Sequence, residues 1–148
     1  MILINNRQLN IRKCRPDDYL FCHSISRRAM ESYFDKYFGG WNSQIYKKNF
    51  KPAQIAIIEY KQHRIGLYAR EIIGKQLYIL NIQVSGNFRN KGIGFFILKK
   101  LENEAIKKKL TKMSLQVFKD NPAIILYKKT GFKKIKIKNH SVLMEKNF

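Results

Sequence analysis

Acidic side chains are scarce in this 148-residue chain, with ten Asp and Glu against thirty Lys and Arg and a formal net charge of +20. Long apolar runs are missing too: no stretch approaches the roughly 18 residues that a membrane-spanning helix needs. The start, Met1 to Arg7, has no charged segment followed by a long apolar one, so a cytoplasmic protein is expected. Only two cysteines occur, Cys14 and Cys22, with no second Cys/His pair at zinc-box spacing although His23 follows Cys22. They read as incidental thiols of a reducing compartment, and no metal site is expected. Repeats and low-complexity segments are absent.

What is present suits a folded core. The chain is 45% hydrophobic and 13% aromatic, far from the profile of disordered chains. Its length is that of one domain, residues 1–148, able to bury a core without disulfides or metals. Residues 1–88 hold 14 basic and 6 acidic side chains and residues 89–148 hold 16 and 4, so the excess is spread along the chain. Two readings of it stay open: a coding bias toward Lys, Asn and Ile, or a surface selected for an anionic partner.

Hydrophobic periodicity gives the elements. Leu9 to Cys14 alternates as a strand, and Arg15-Pro16-Asp17-Asp18 opens a helix from Tyr19 to about Tyr37 that Gly39-Gly40 ends. Trp41 to Phe50 reads as a shorter helix ending before Pro52. Gln54–Tyr60, Arg64–Ile72 and Gln76–Val84 are β-like runs joined by hairpin-length turns, an antiparallel meander. Ile93, Ile97, Leu101 and Ala105 recur every four residues as one helix face. Met113–Phe118 is a strand, Asn121-Pro122 opens a helix to Lys129 closed by Gly131, and Phe132–Lys138 and Ser141–Glu145 close the chain as strands. This order implies an α/β or α+β layer, with helices covering a largely antiparallel sheet.

One segment carries chemistry. Arg89-Asn90-Lys91-Gly92-Ile93-Gly94 lies between the strand end at Val84 and the amphipathic helix, where backbone N–H groups leave the helix N-terminus toward an anion. It is not a P-loop, because no Gly-Lys-Ser/Thr follows, and it lacks the third glycine of a dinucleotide fingerprint. The segment resembles the acetyl-CoA motif of the GNAT acetyltransferase superfamily, Gln/Arg-x-x-Gly-x-Gly/Ala. Asn121-Pro122-Ala123-Ile124-Ile125-Leu126-Tyr127, closed by Gly131-Phe132, resembles the family's second signature.

The resemblance implies a mixed, mostly antiparallel twisted sheet of about six to seven strands flanked by about four helices. It implies transfer of an acetyl group from acetyl-CoA to a primary amine by direct attack. Tyr127 would protonate the CoA thiolate; a tyrosine simply packed on the sheet is the plainer alternative. Backbone N–H groups around Gln83 and Val84 would hold the pantetheine arm and polarise the carbonyl. The glycine loop would cradle the pyrophosphate. Asn121 would either hold the cofactor or cap its helix.

The strand Leu77–Val84 lacks the Glu that many relatives carry there, so Glu71 is the nearest candidate base; a water wire from Asn81 or Tyr78, or Glu71 as a solvated edge residue, stay open. Gly86 stands where the family often has Pro. Phe38-Gly39-Gly40-Trp41, with Tyr33, Phe34 and Tyr37, is expected to line the acceptor cleft or to be ordinary core packing. A positive cleft would disfavour a polyamine acceptor. The competing functions are a catalytically silent CoA-binding regulatory domain and a basic nucleic-acid-binding module, the second lacking any known signature here. Pairing through a closing strand would make a homodimer; otherwise the chain is a monomer.

Overall fold

The computed structural model describes residues 6–148. Seven strands form one sheet: β1 (Leu9–Lys13), β2 (Ile55–Tyr60), β3 (His63–Ile73), β4 (Gln76–Val84), β5 (Lys112–Phe118), β6 (Lys133–Lys138) and β7 (Ser141–Asn147). Their order is β1-β2-β3-β4-β5-β7-β6. Only β4 and β5 run parallel; every other neighbour pair is antiparallel. Four helices cover the sheet: α1 (Tyr19–Phe38), α2 (Ser43–Asn49), α3 (Ile93–Lys107) and α4 (Ala123–Lys129). The expected fold is the observed one, and the single parallel pair arises where α3 carries the chain across from β4 to β5.

Local chemistry sets the helix limits. Gly39 ends α1 in the left-handed conformation, φ 76°, which a residue without Cβ adopts freely. α2 is shorter than the expected Trp41–Phe50 because the Asn42 side chain accepts from the N–H groups of Gln44 and Ile45 and fixes the first turn at Ser43. β1 stops one residue before Cys14, and β7 runs on two residues past Glu145.

α3 buries Ile93, Ile97, Leu98, Leu101 and Ala105. Each large aliphatic chain so buried contributes roughly 1.5–3 kcal/mol, well above what helix propensity supplies. With α4 it covers one sheet face, a core that includes Ile58, Leu77, Ile79, Met113, Leu115 and Met144. α1 and α2 cover the other, where Cys14, Cys22 and Ile25 pack on Ile57 and Leu67. The start of α1 is tied to the sheet by Asp18, 1% exposed, which accepts from Arg12 (2.8 and 2.9 Å), Arg64 (3.2 Å) and the Arg15 backbone (2.8 Å). These donors hold its carboxyl well below the usual carboxylate range, with Arg12 the largest cause.

Candidate active site

β4 and β5 share only four residue pairs, Gln76–Ile79 against Lys112–Leu115. Beyond them β4 runs on along β3 to Val84 while β5 runs on along β7 to Phe118, so the two strands part and a seam opens. At the same point β4 bulges. Ala69 faces Asn81 and Arg70 faces Ile79, which leaves Leu80 as an extra residue. The bulge changes the faces: Ile79 stays in the α3 core, whereas Asn81 turns toward α1 with Ala69.

Backbone direction along β4 follows from two bonds. The Ser85 N–H donates to Ile65 O on β3 (2.7 Å), and Arg89 Nε donates to Val84 O (3.0 Å). Successive residues of a strand point their peptide groups to opposite sides. Ile82 and Val84 therefore direct N–H groups into the seam, and Gln83 directs its own toward β3. The expected Gln83–Val84 pair is thus split, because the alternation allows only every second amide to face the opening. Sequence reasoning missed Ile82, whose aliphatic side chain signals only packing. The Gln83 side chain, 5% exposed, donates from Nε2 to Asn81 Oδ1 (3.3 Å), and its Oε1 is buried with no hydrogen-bond partner.

The glycine loop ends at the seam. Asn90 (φ 59°) and Gly92 (φ 85°) take left-handed conformations that turn the chain into α3. The first helical bond with i→i−4 spacing runs from Phe96 N to Gly92 O (3.0 Å), so the N–H groups of Ile93, Gly94 and Phe95 lack helical acceptors. A Cβ on Gly94 would come within 3.0 Å of Leu126 Cδ2, so this glycine lets α4 pack onto the first turn of α3. Arg89 and Asn90 are exposed and Lys91 is half-buried.

Tyr127 is the next residue of α4 after Leu126. It is 9% exposed, with its ring edge-on to Phe132 at 5.9 Å, and burial pushes its phenol up to about 12. Asn121 accepts from the Ala123 N–H through Oδ1 (2.9 Å), which commits its carbonyl to the turn that starts α4. Of the two expectations for Asn121, the capping one has a visible partner.

On the α1 side the bulge borders a cleft of about 890 Å³ between the α1–α2 corner and β2–β4. Its walls are aromatic: Phe34, Phe38, Trp41, Tyr46 and Phe50. Trp41 is held in place by an indole N–H bond to Ser43 Oγ (3.0 Å) and by an edge contact with His23. Glu71 also lines the cleft and accepts from Gln54 Nε2 (3.1 Å). Tyr33 lies apart from these lining residues, stacked on Phe118 of β5 at 4.9 Å. Phe50 and Gln54 were not singled out by the sequence, since only the docking of α2 on the sheet brings them to the cleft. Among the described residues no three His, Cys, Asp or Glu side chains gather to hold a metal.

The sequence matches the family model described as "Acetyltransferase (GNAT) family" over residues 20–132. No curated protein sequence matches the chain significantly. Solved structures do share its architecture. The PaiA N-acetyltransferase of Thermoplasma acidophilum, in complex with coenzyme A, is 22% identical with a TM-score of 0.76, over 95% of this chain and 99% of that one. The ribosomal-protein-S18-alanine N-acetyltransferase of Escherichia coli is 17% identical with a TM-score of 0.73, over 94% and 93% of the two chains. Arabidopsis thaliana Naa50, in complex with the bisubstrate analogue CoA-Ac-MVNAL, is 18% identical with a TM-score of 0.72, over 95% and 99%. The family match spans most of the chain, including the glycine loop, Asn121 and Tyr127. The chain belongs to the GNAT acetyltransferase family and is an N-acetyltransferase of that type.

Proposed function

We propose that residues 1–148 act as one cytoplasmic domain that moves the acetyl group of acetyl-CoA to a primary amine. The observation that carries this reading is the seam between β4 and β5, which opens where the glycine loop presents three N–H groups without helical acceptors. Those groups, with Gly92 and Gly94, suit a pyrophosphate. Ile82 and Val84 offer strand-like N–H donors to a pantetheine arm and to the thioester carbonyl. Coenzyme A in the Thermoplasma relative and the bisubstrate analogue in the Arabidopsis one support acetyl-CoA as co-substrate.

Tyr127 serves as general acid. Burial pushes the phenol up to about 12, so it is protonated near neutral pH; its transfer to a thiolate, an ordinary thiol titrating near 8.5, runs uphill and is completed when the second proton of the amine restores the phenol. Glu71 serves as base, directly or through water, because it reaches the cleft from β3 beside Leu80 and Asn81.

Calorimetric titration with acetyl-CoA tests the glycine loop. The native protein is expected to bind in the micromolar range, and Gly92→Glu, which adds bulk and charge at the loop, to bind more than about tenfold more weakly. A melting curve accompanies the variant, because φ 85° strains any side chain there. Native protein that binds no acetyl-CoA removes the proposal.

A further inference from the structure

We infer that the acceptor is a primary amine bearing a bulky apolar or aromatic group, with its ammonium at Glu71 and that group against the wall around Trp41. The inference rests on the acetyl-transfer reading above and adds the substrate class.

Charge pairing supplies the first argument. Ten carboxylates face thirty basic side chains, and eight of the ten form ion pairs with Lys or Arg. Among the described residues the two without one are Asp35, exposed on α1, and Glu71, which lines the cleft with the Gln54 amide as its hydrogen-bond partner. In a protein this rich in cations, a half-buried carboxylate in a cleft without an ion pair is available to a cation that arrives from outside. An alkylammonium is that cation, and loss of its proton is what the reaction requires.

The apolar surface supplies the second. Phe38, Ile45 and Leu80 are large apolar side chains that are 59%, 57% and 37% exposed, and all three line this one cleft together with Trp41 and Phe50. An exposed apolar concavity with one carboxylate favours a ligand with one charged end and one apolar end. A polyamine fits less well, because the second charged lining residue is Lys51 and the next unpaired carboxylate, Asp35, is not among the lining residues but beside Gly40. A dicarboxylic amine meets Glu71 with like charge.

Gln83 supplies the third. Its Nε2 donates to Asn81, which lines the cleft, while its Oε1 is buried without a partner, and a buried acceptor without a donor costs about 1–3 kcal/mol. A water that enters with the acceptor past Asn81 would satisfy it.

The chemistry balances with these groups. The ammonium gives one proton through Glu71 to solvent, and its nitrogen lone pair then attacks the thioester carbonyl carbon. The C–N bond forms and the C–S bond breaks; the thiolate takes a proton from Tyr127, and the second proton of the nitrogen passes through water to the tyrosinate and restores the phenol.

The test measures release of free CoA thiol by the full chain with acetyl-CoA and, in separate arms, tryptamine, phenylalanine, a pentapeptide beginning with methionine, spermidine and glutamate. At least one of the first three is expected to exceed spermidine and glutamate in kcat/KM by more than about tenfold, and their ranking tells a small amine from an amino acid or a peptide terminus. Trp41→Ala is expected to lower kcat/KM for the best acceptor by about tenfold or more while KM for acetyl-CoA holds, and Trp41→Phe to recover part of it. Glu71→Gln is expected to raise the acceptor KM. Spermidine or glutamate as the best acceptor, turnover indifferent to Trp41→Ala, or acetyl-CoA bound with no arm turning over overturns the inference. Failure to bind acetyl-CoA at all is a different result and removes the reading beneath it.

Discussion

Tyr127 occupies an awkward place for a working acid, at the edge of the core against Phe132 with only burial acting on its titration. Its usefulness depends on remaining protonated. Because its value is raised, the acid form is present at every pH below about 12, so this group imposes no loss of kcat between about pH 8 and about pH 10. Tyr127→Phe keeps the ring packing and is expected to lower kcat by about 10²-fold or more with KM for acetyl-CoA little changed. A variant with native kcat, or a native profile that falls with a midpoint well below 10, assigns the proton to another group. The same burial affects the cysteines: Cys22 is pushed up to about 12 and Cys14 upward, mainly by burial, so neither is poised as a nucleophile.

At the scale of elements, the site depends on how β4 leaves its neighbours. Gly66 on β3 is central to that geometry, since a Cβ there would fall 2.5 Å from Gln83 O and 3.3 Å from Val84 Cα. Backbone cannot move aside as a side-chain tip can. Gly66→Ala is expected to destabilise the protein by about 1–3 kcal/mol and to weaken acetyl-CoA binding by displacing Val84, read by denaturant melts and by calorimetry. Unchanged stability and unchanged affinity together would show that β4 tolerates the shift. None of this was legible in the sequence. The run Tyr78-Ile79-Leu80-Asn81-Ile82 reads as one strand, and a bulge becomes visible only when the pairing partners on β3 are known. The helices and strands themselves were legible because apolar spacing and glycine stops are local properties; α3 shows this in Ile93, Ile97, Leu101 and Ala105. The glycine loop was legible for the same reason. The aromatic cleft was half legible as a shape: Gly39-Gly40 marked the corner and Trp41 its wall, while Phe50, Gln54 and Asn81 meet there only through long-range packing.

For the whole molecule, charge and burial set the pH range of stability. Cys22, Tyr46 and Tyr127 are each pushed up to about 12 by burial, from ordinary values of 9.0 for the thiol and 10.0 for the phenols. A value raised on folding gives stability that is complete below the unfolded value and is lost as pH climbs through the folded one. Stability is therefore expected to fall steadily from about pH 9 to about pH 12, measured as the denaturant midpoint at each pH. A midpoint that holds flat through pH 12 contradicts the burial of all three groups. On the acid side Asp18 acts in the opposite sense, because its lowered value gives stability above the ordinary carboxylate range that is lost on acidification.

The four residue pairs between β4 and β5 have one more consequence. Among the described residues they are the only ladder that joins β1–β4 to β5–β7, so the sheet is two leaves bound along a short spine. A co-substrate seated in the opening would lengthen that spine with its own amide and carbonyl groups and hold the leaves together. On that account acetyl-CoA would be a structural member as well as a reactant. At a concentration one hundred times its dissociation constant it would add about 2.7 kcal/mol to the stability of the whole sheet.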